Sequence, residues 1–526
     1  MSLHLQNSRH FEFLRNYLRT AGFNEKSICD HLEIADIFEL ALPHGKRATP
    51  LKGSDELSLL MRLLLLGETL EREELESVLS SAVVEALTNL GLASLDPADG
   101  NRLFCAVALY PVGPLLTVSD RWFPVVGKKF EWTDDFVYPA ITPNTREFLA
   151  TLPATPCNSL LELCSGTGAA SLAASGYAKK CWAIDITERS TQMAEFSRLL
   201  NGLDNVTVLK GNLYEGVEGL KFDRIVAHPP YMPALRSTRI FSEGGADGEQ
   251  ITRGIVEALP DFLKSGGCFY CLAQASDRKG APLEQRVRGW LGEGQSDFDV
   301  AFIEISGQDP KEAAFIYALK SGGGFEAVDL MRNNLASLGV ESMPYGWIII
   351  QRRSDTRSVF TVRRSAGRRI GQEEIAWLLK WETFAAGPSA FEDLQERTPV
   401  ARRSLEFHIL HRLNEGKLVP EQFTLHMEAP FFGNCKVQYW IGFLIPLCDG
   451  KTTVRQLWEA CKSNKFIHPE TPPQEFAKLI AVLISGGFLE LADFCLPNPQ
   501  QGQGEQRRTS ALLPIGHPAG GACGDR

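Results

Sequence analysis

The stretch Ser159–Gly168, SLLELCSGTG, joins a short apolar run to a glycine-rich turn, and the helix-like sequence AASLAASGYA follows it directly. An apolar run of this length that ends in a turn is typical of a strand buried on both faces. Glycines at 166 and 168 let the backbone turn sharply and approach a ligand closely, because a side chain there would collide. The stretch therefore predicts a strand, a ligand-binding turn and a helix, in that order.

Six further apolar runs recur through the centre of the chain, and helical or glycine-rich stretches separate most of them. Alternation of this kind indicates an open, mostly parallel sheet covered by helices on both faces. The predicted fold class is therefore α/β. The six runs are KKCWAIDI, VTVLKG, FDRIVAHPP, CFYCLAQ, VAFIEIS and WIIIQRR.

Polar side chains stand where three of the predicted strands end. Glu162 lies beside the glycine-rich turn, Asp185 ends the second run, and Asn212 follows the third. The carboxyl ends of parallel strands meet at one edge of a sheet, where α/β proteins bind ligands. Asp185 is placed to accept hydrogen bonds from both hydroxyls of a ribose, and Asn212 to meet an adenine amino group. Since no lysine follows Gly168, a sulfonium cofactor bearing an amino acid fits better than a phosphate.

The fourth run ends in AHPPY, residues 227–231. Pro229 and Pro230 fix an extended backbone and remove two N–H donors, while the neighbouring carbonyls stay able to accept hydrogen bonds. Tyr231 offers a flat face to a planar group, and His228 offers an acceptor or a base. A rigid loop without chemistry is the alternative, but its place beside three ligand-facing strand ends favours a catalytic loop made of these four residues.

Together, these motifs resemble class I methyltransferases of the HemK type, the release-factor glutamine methyltransferases and their small-domain relatives. The matching stretches, about 110 residues in all, are LLELCSGTGAASLA, AIDIT, LKGNLYEGV, FDRIVAHPPYMPA and GGADGEQITRGIVEALPDFLKSGG. The resemblance implies a seven-stranded, Rossmann-like, mostly parallel sheet that binds S-adenosylmethionine. The cofactor residues it implies are Glu162, Cys164, Gly166, Gly168, Asp185, Asn212, Leu213 and His228.

Three positions depart from the pattern of that family. The family usually has glycine at the position of Cys164, an acidic residue at that of Asn212, and asparagine at that of His228. In the family form, the carbonyls of the asparagine and of the next proline accept the two N–H bonds of the target nitrogen. A neutral imidazole accepts only one such bond, although it can remove a proton near pH 7. His228 therefore weakens the case for glutamine of a release factor as the substrate.

We predict direct transfer of a methyl group from S-adenosylmethionine, without a metal or a covalent enzyme intermediate. A nitrogen of a protein or peptide is the first choice of acceptor. N-methylation of a nucleic-acid base and O-methylation of a small metabolite, with His228 as the base, are alternatives. A binding protein built on a methyltransferase fold without activity is a further alternative, because fold alone does not fix function.

The regions on either side of the centre have helical patterns that end in a small hairpin or apolar strand. They predict winged-helix-like domains at residues 1–130 and 354–495, around a methyltransferase domain at 131–353. Residues 496–526 are rich in Gly, Pro and Gln and are expected to be disordered. The run RSDTRSVFTVRRSAGRR, residues 353–369, indicates a solvated junction or a contact with an acidic partner or phosphate.

The composition is ordinary for a soluble protein, with a formal net charge of −10 and 44% hydrophobic residues. It gives no overall attraction to nucleic acid or to an anionic membrane. We expect no signal peptide and no membrane span. Cys268 and Cys271 form the one CxxC pair among 12 cysteines, and a buried strand explains them better than zinc. Reduced thiols indicate a cytoplasmic protein.

Overall fold

The structure, a computed structural model, describes residues 3–41, 51, 53–122, 133–235, 239–320, 324–367 and 370–496. The chain divides into two compact units. The described part of the first unit lies within Met1–Ala275 and Pro310–Glu341, and that of the second within Ser276–Asp309 and Ser342–Ile515. The predicted boundaries at residues 130, 353 and 495 stay predictions. Apart from residue 496, the predicted tail lies outside the described residues.

The first unit begins with short helices and strands. Strands β1, β3 and β2 form an antiparallel sheet in that order, and β4 pairs with β5 as a hairpin. A winged-helix domain stays a prediction for this region. Its elements are α1 (Ser8–Thr20), α2 (Glu25–Leu32), a 3₁₀ turn (Ile37–Ala41), α3 (Glu56–Leu60), a π turn (Met61–Leu65), β1 (Leu70–Glu71), α4 (Arg72–Leu79), α5 (Ser81–Asn89), β2 (Ser94–Asp96), β3 (Asp99–Phe104), β4 (Ala108–Val112) and β5 (Leu115–Ser119).

Parallel strands alternate with helices in the centre of this unit. In order along the sheet, they are β10, β9, β6, β7 and β8, and every neighbouring pair is parallel. The predicted α/β class with a mostly parallel sheet is therefore confirmed. The elements are α6 (Pro143–Thr151), β6 (Cys157–Leu163), α7 (Ala169–Ala174), β7 (Ala178–Asp185), α8 (Glu188–Asn201), β8 (Val206–Lys210), β9 (Phe222–Ala227), α9 (Gln250–Phe262) and β10 (Leu263–Gln274).

The strand order reverses direction between β6 and β9. From β6 the chain proceeds outward through β7 to β8, whereas β9 pairs with the opposite edge of β6. Leu160, Leu161 and Leu163 of β6 are all fully buried, as expected for a central strand covered on both faces. The carboxyl ends of strands at such a reversal form the crevice where open α/β sheets bind ligands.

Helix α8 packs against the N-terminal elements of the same unit. The rings of Phe11 and Phe196 lie 4.9 Å apart in an edge-to-face arrangement, and both belong to one buried apolar cluster. The Val118 N–H donates to Ser197 Oγ at 3.0 Å, and the Asn201 side chain bonds both backbone groups of Leu116. The N-terminal helices therefore share their hydrophobic core with a helix of the central sheet.

In the second unit, β12 is antiparallel to β13 and parallel to β14, β15 pairs with β19, and β16, β17 and β18 form an antiparallel sheet. The helix pair α11 (Pro310–Lys320) and α12 (Phe325–Ser337), between β12 and β13 in the sequence, belongs to the first unit. The remaining elements are β11 (Asp277–Arg278), α10 (Leu283–Trp290), β12 (Phe298–Gln308), β13 (Val340–Arg352), β14 (Thr361–Ser365), α13 (Gln372–Ala385), α14 (Ala390–Asp393), β15 (Pro399–Ala401), β16 (Glu406–Asn414), β17 (Lys417–Met427), β18 (Gly433–Val437), α15 (Ile441–Leu444), α16 (Val454–Ser463), α17 (Pro473–Ser485) and β19 (Leu489–Leu491); 3₁₀ turns lie at Gly292–Asp297, Leu394–Glu396, Ile445–Leu447 and Ala492–Phe494.

Three arginines of the arginine-rich run form ion pairs with carboxylates elsewhere in the second unit. Arg357 forms a buried ion pair with Asp299, and Arg364 pairs with Glu382 at 2.5 Å. Arg363 lies 2.5 Å from Asp277. At these positions both the solvated junction and the phosphate contact are wrong as predictions, because carboxylates of the second unit neutralise the arginines. Residues 368 and 369 lie outside the described residues.

Two further sequence expectations concern membranes and metals. Within the described ranges, no helix is both long and apolar enough to cross a membrane. The same residues contain no group of three or more His, Cys, Asp or Glu side chains that could hold a metal ion. Cys268 and Cys271 both lie on β10, which confirms the strand assignment of the CxxC pair.

Candidate cofactor and acceptor site

The turn after β6 contains three residues with left-handed backbone. Cys164, Gly166 and Gly168 have φ values of 54°, 52° and 72°. A Cβ on Gly168 would lie 3.2 Å from Ala194 Cβ of α8, so glycine permits close helix packing there. A Cβ on Gly166 would meet nothing within 4 Å, so this glycine borders open space. Beside it, Ser165 Oγ is buried and has no hydrogen-bond partner in the described part of the chain.

Glu162 lies near the end of β6 and is only 4% exposed. Its carboxylate accepts hydrogen bonds from the Ala170 N–H at 3.1 Å and the Ser171 N–H at 2.7 Å, in the first turn of α7. Burial raises the pKa of Glu162 to about 7, although these hydrogen bonds act to lower it. A cation beside this carboxyl would favour its charged form. Glu162 therefore suits an ammonium group better than an anion.

Asp185 ends β7 and holds the turn from the other side. Its Oδ2 accepts the Gly166 N–H at 2.8 Å, and its Oδ1 accepts the N–H and hydroxyl of Thr187 at 3.1 and 3.2 Å. A carboxylate has about four lone-pair directions, so these three bonds leave capacity for a ligand hydroxyl. Asp185 is thus both a structural anchor of the turn and a candidate ligand.

The end of β8 lies at the same edge. The Gly211 N–H donates to the Asp185 backbone carbonyl at 3.0 Å, so the residues that follow β7 and β8 are joined directly. Asn212 is exposed, its N–H donates to Glu215 Oε2 at 3.0 Å, and Leu213 has a positive φ of 52°. The structure thus places the predicted residues from three strand ends along one edge of the sheet.

The loop after β9 pairs with the GGADG segment that follows it. The Met232 N–H donates to the Ser242 carbonyl at 2.8 Å, and the Gly244 N–H donates to the Met232 carbonyl at 2.9 Å. The Ala234 N–H donates to the Gly245 carbonyl at 2.9 Å. These backbone bonds fix the course of the chain directly after the HPPY motif.

Two glycines of that segment have no room for a side chain. A Cβ on Gly244 would lie 2.7 Å from the Pro230 carbonyl oxygen. A Cβ on Gly248 would overlap the Tyr231 carbonyl oxygen, and its φ of 77° already favours glycine. Glycine is therefore required at positions 244 and 248 because both approach the loop closely, a reason that the motif alone does not reveal.

The side chains of the loop belong to an aromatic group. The His228 ring centroid lies 6.1 Å from that of Tyr231, with 23° between the planes, and 5.4 Å from that of Phe148. Tyr231 Oη accepts a hydrogen bond from Asn144 Nδ2 at 3.4 Å. Burial raises the pKa of Tyr231 to about 12, so the phenol is neutral at physiological pH.

Several residues of this neighbourhood lie outside the motifs that the sequence displays. Asn144 and Phe148 come from α6, far upstream of the loop, and no motif singles them out. Tyr317 of α11 donates its hydroxyl hydrogen to the buried Gln274, at the end of β10. The spacing of four between Asn144 and Phe148 puts them on one helix face and is the only sequence signal available.

Comparison with known proteins bears on this arrangement. The family model described as "Methyltransferase small domain" matches residues 136–290, which include every strand end described above. Residues 136–290 are therefore similar to the methyltransferase small domain family. The resemblance inferred from the sequence motifs is therefore confirmed for this segment, which is less than half of the chain.

Similar proteins carry names that refer to glutamine methylation. A Methanocaldococcus jannaschii protein named as a protein N5-glutamine methyltransferase is 36% identical over 120 residues, 22% of this chain and 60% of that protein. A ribosomal protein uL3 glutamine methyltransferase of Xanthomonas campestris is 27% identical, over 22% of this chain and 42% of that protein. A release factor glutamine methyltransferase of Thermodesulfovibrio yellowstonii is 28% identical, over 22% and 45%. The chain spans about half the length of these relatives.

Among solved structures, a ribosomal protein L11 methylase of Lactobacillus delbrueckii subsp. bulgaricus is similar over 38% of this chain and 71% of that chain. The sequence identity is 18% and the TM-score is 0.23.

Proposed function

We propose that this chain is an S-adenosylmethionine-dependent methyltransferase that methylates a nitrogen of a protein substrate. One observation carries the proposal: the glycine turn with its two carboxylates and the HPPY loop follow β6 and β9, neighbouring strands at the reversal of the sheet. A cofactor in the turn and an acceptor at the loop would therefore be adjacent. The match to the methyltransferase small domain supports the same conclusion.

The residues of the turn fit this cofactor. Among the described residues the buried hydroxyl of Ser165 has no hydrogen-bond partner, Gly166 borders open space, and a cation would favour the charged form of the Glu162 carboxyl. Glu162 would hold the ammonium group, Asp185 the ribose hydroxyls and Asn212 the adenine. When bound, the cofactor supplies a methyl group activated by positive sulfur; the acceptor's lone pair forms the new bond and the C–S electron pair returns to sulfur.

The loop residues would orient the acceptor. Pro230 has no N–H, and its carbonyl and those beside it can accept hydrogen bonds from an acceptor N–H. The Tyr231 ring would pack on a planar group such as an amide, and His228 or water would take the proton that leaves the nitrogen. Because the sulfonium is already reactive, correct placement supplies most of the rate.

Protein nitrogen is favoured over the two alternatives on separate grounds. The names of the three relatives refer to glutamine of protein substrates. The nucleic-acid alternative relied in part on the arginine run, yet Arg357, Arg363 and Arg364 are paired with carboxylates. Transfer to a hydroxyl is the second candidate, because His228 lies in the loop and can act as a base.

A labelling experiment tests the proposal. Purified protein and tritiated S-adenosylmethionine are incubated with cell extract, and the product is divided for protease or nuclease digestion. We expect label that protease releases and nuclease does not. Asp185→Ala should abolish most labelling, whereas Asp96→Ala, at the half-buried end of β2, should not. Label sensitive only to nuclease, or resistant to both enzymes, would contradict a protein acceptor.

Replacing the loop histidine distinguishes nitrogen from oxygen acceptors. His228→Asn introduces the amide that the resemblance associates with nitrogen acceptors. We expect this variant to retain transfer if the acceptor is an amide or amino nitrogen, and to lose it if a hydroxyl must be deprotonated. Cofactor affinity, measured by calorimetry, is compared with that of the wild type, so that a loss of cofactor binding is distinguished from a loss of transfer.

A further inference from the structure

Helix α6 presents two side chains to the HPPY loop. Asn144 Nδ2 lies 3.4 Å from Tyr231 Oη, and the Phe148 ring centroid lies 5.4 Å from that of His228. Positions separated by four residues share a helix face, so both contacts come from the same side of α6. One face of α6 therefore packs against the His228 and Tyr231 side chains of the loop.

The position of α6 is fixed independently of that loop. Arg146 forms an ion pair with Asp36, and its guanidinium lies 4.3 Å from the centroid of the Phe38 ring. Asp36 and Phe38 both lie at the N-terminal 3₁₀ turn. Pro143 occupies the first turn of α6, where proline favours helix initiation. Helix α6 is thus held by the N-terminal elements, so the side chains that it presents to the loop have a fixed position.

The Asn144 side chain is not required by the helix itself. The N-cap of α6 is Thr142, and the side-chain hydrogen bond of Asn144 points to the Tyr231 phenol. A desolvated phenol needs a hydrogen-bond partner, and Asn144 provides one at the end of the ring. The bond therefore restricts the tilt of the Tyr231 ring at its hydroxyl end.

We infer that Asn144 is a positioning residue, which acts through the Tyr231 hydroxyl to hold the aromatic face on which the acceptor packs. The inference rests on the proposed function of the loop. It assigns to a residue outside the HPPY motif the task of orienting the acceptor, in a chain where position 228 carries histidine. A misplaced ring would lower transfer without affecting the cofactor turn, because the side-chain hydrogen bond of Asn144 goes to the acceptor loop.

A double-mutant cycle tests this role in the extract-labelling reaction. Asn144→Ala should lower the rate of protein labelling about tenfold or more, with cofactor affinity within about twofold of wild type. In a Tyr231→Phe background the same substitution should change the rate less than about twofold, because the hydroxyl is already absent.

A conservative variant and a control complete the test. Asn144→Asp, whose carboxylate can accept the phenol hydrogen, should restore most of the rate. Asn89→Ala, at an exposed helical asparagine, is the matched control. Additive effects of the two substitutions would overturn the inference.

A spectroscopic measurement decides the matter without an acceptor. The full chain is labelled with 3-fluorotyrosine, and the ¹⁹F resonance of Tyr231 is assigned by its absence in Tyr231→Phe. Asn144→Ala should shift that resonance, while Asn89→Ala should leave it in place. An unmoved resonance would overturn the inference. If the wild type labels no extract protein, the proposed function fails, and the resonance still decides whether Asn144 holds the ring.

Discussion

The cofactor edge, at the ends of β6, β7 and β8, and the acceptor loop after β9 are stabilised in different ways. At the cofactor edge, Gly166 and Gly211 both donate to Asp185, so short segments that follow neighbouring strands hold one another. The acceptor loop instead bonds with Asn144, which is 87 positions from Tyr231. Binding of a common cofactor can therefore be encoded locally, whereas selection of an acceptor depends on distant parts of the chain.

The largest effect is expected when those distant parts are removed. A fragment of residues 131–353 lacks Phe11, Leu14 and most of the apolar cluster that covers α8, but keeps Met193, Phe196 and Leu200 of α8 itself. Exposing each of these large side chains costs about 1.5–3 kcal/mol, so the loss is comparable to the stability of a typical domain, about 5–15 kcal/mol. We expect no cooperative transition in thermal unfolding followed by circular dichroism. A sharp transition together with calorimetric cofactor binding would show that the central segment folds without its N-terminal partner.

A smaller but selective effect is expected from Gly248→Ala. The added Cβ collides with the Tyr231 carbonyl, so the loop must move, and a displacement of about 1 Å can cost about 100-fold in rate. Protein labelling should fall by roughly that factor, while calorimetry finds cofactor affinity within about twofold. Gly113→Ala is the control, since that glycine also has positive φ (57°) but faces open space. Equal losses in both variants would argue against a specific role for the loop.

At the cofactor edge, Asp185→Ala should weaken cofactor binding itself. Charge-assisted hydrogen bonds contribute about 1.5–3 kcal/mol each, so the dissociation constant should rise at least about tenfold. The melting temperature should fall slightly as well, because the Gly166 N–H loses its acceptor. Affinity unchanged from wild type would remove Asp185 from the cofactor site and would leave it as an anchor of the turn alone.

The pH dependence of cofactor binding provides the mildest test. With a pKa of about 7, Glu162 is mostly neutral at pH 6 and mostly ionised at pH 8, so the dissociation constant should be about tenfold larger at pH 6 than at pH 8.

The folding stability of the cofactor-free protein should depend on pH in the opposite direction. The pKa of the Glu162 carboxyl is about 7 in the folded state and near 4.5 in the unfolded state, so the folded state binds the carboxyl proton more tightly. Protonated Glu162 therefore favours folding at acid pH, and this stabilisation is lost as the pH rises through about 7.

Calorimetric titrations at several pH values measure this dependence directly. Glu162→Gln should flatten it, since an amide does not ionise in this range. The substitution also removes one of the two acceptor oxygens that meet Ala170 and Ser171, so weaker binding at every pH is expected. A wild-type affinity that does not vary between pH 6 and 8 would contradict contact between Glu162 and a cationic group.

Sequence patterns predicted the sheet well because its strands are buried on both faces. The run around Leu160 and the run ending at Asp185 are almost continuously apolar, and both are strands in the structure. The glycines at 166 and 168 were also predictable, since left-handed backbone restricts the choice of residue. These signals are local, so a single sequence contains them in full.

The remainder of the site depends on contacts that no local pattern records. Asn144 is one polar residue in the first turn of a helix, and only its distance to Tyr231 distinguishes it from other asparagines. The arginine run shows the same limitation in reverse. Its charge suggested solvent or phosphate, yet Asp299, 58 positions before Arg357, neutralises it inside the second unit. Charge pairing over such separations requires the folded chain.

The shared core between α8 and the N-terminal helices has a consequence for inheritance. Helix α8 begins at Glu188, three residues after Asp185 of the cofactor edge. Its Phe196 packs against Phe11 of the N-terminal helices. A recombination event that replaced the N-terminal segment would leave an apolar face of the methyltransferase domain uncovered. Genes that encode this form of α8 should therefore retain the N-terminal segment with it, and the two should change together by paired substitutions across the Phe11–Phe196 contact.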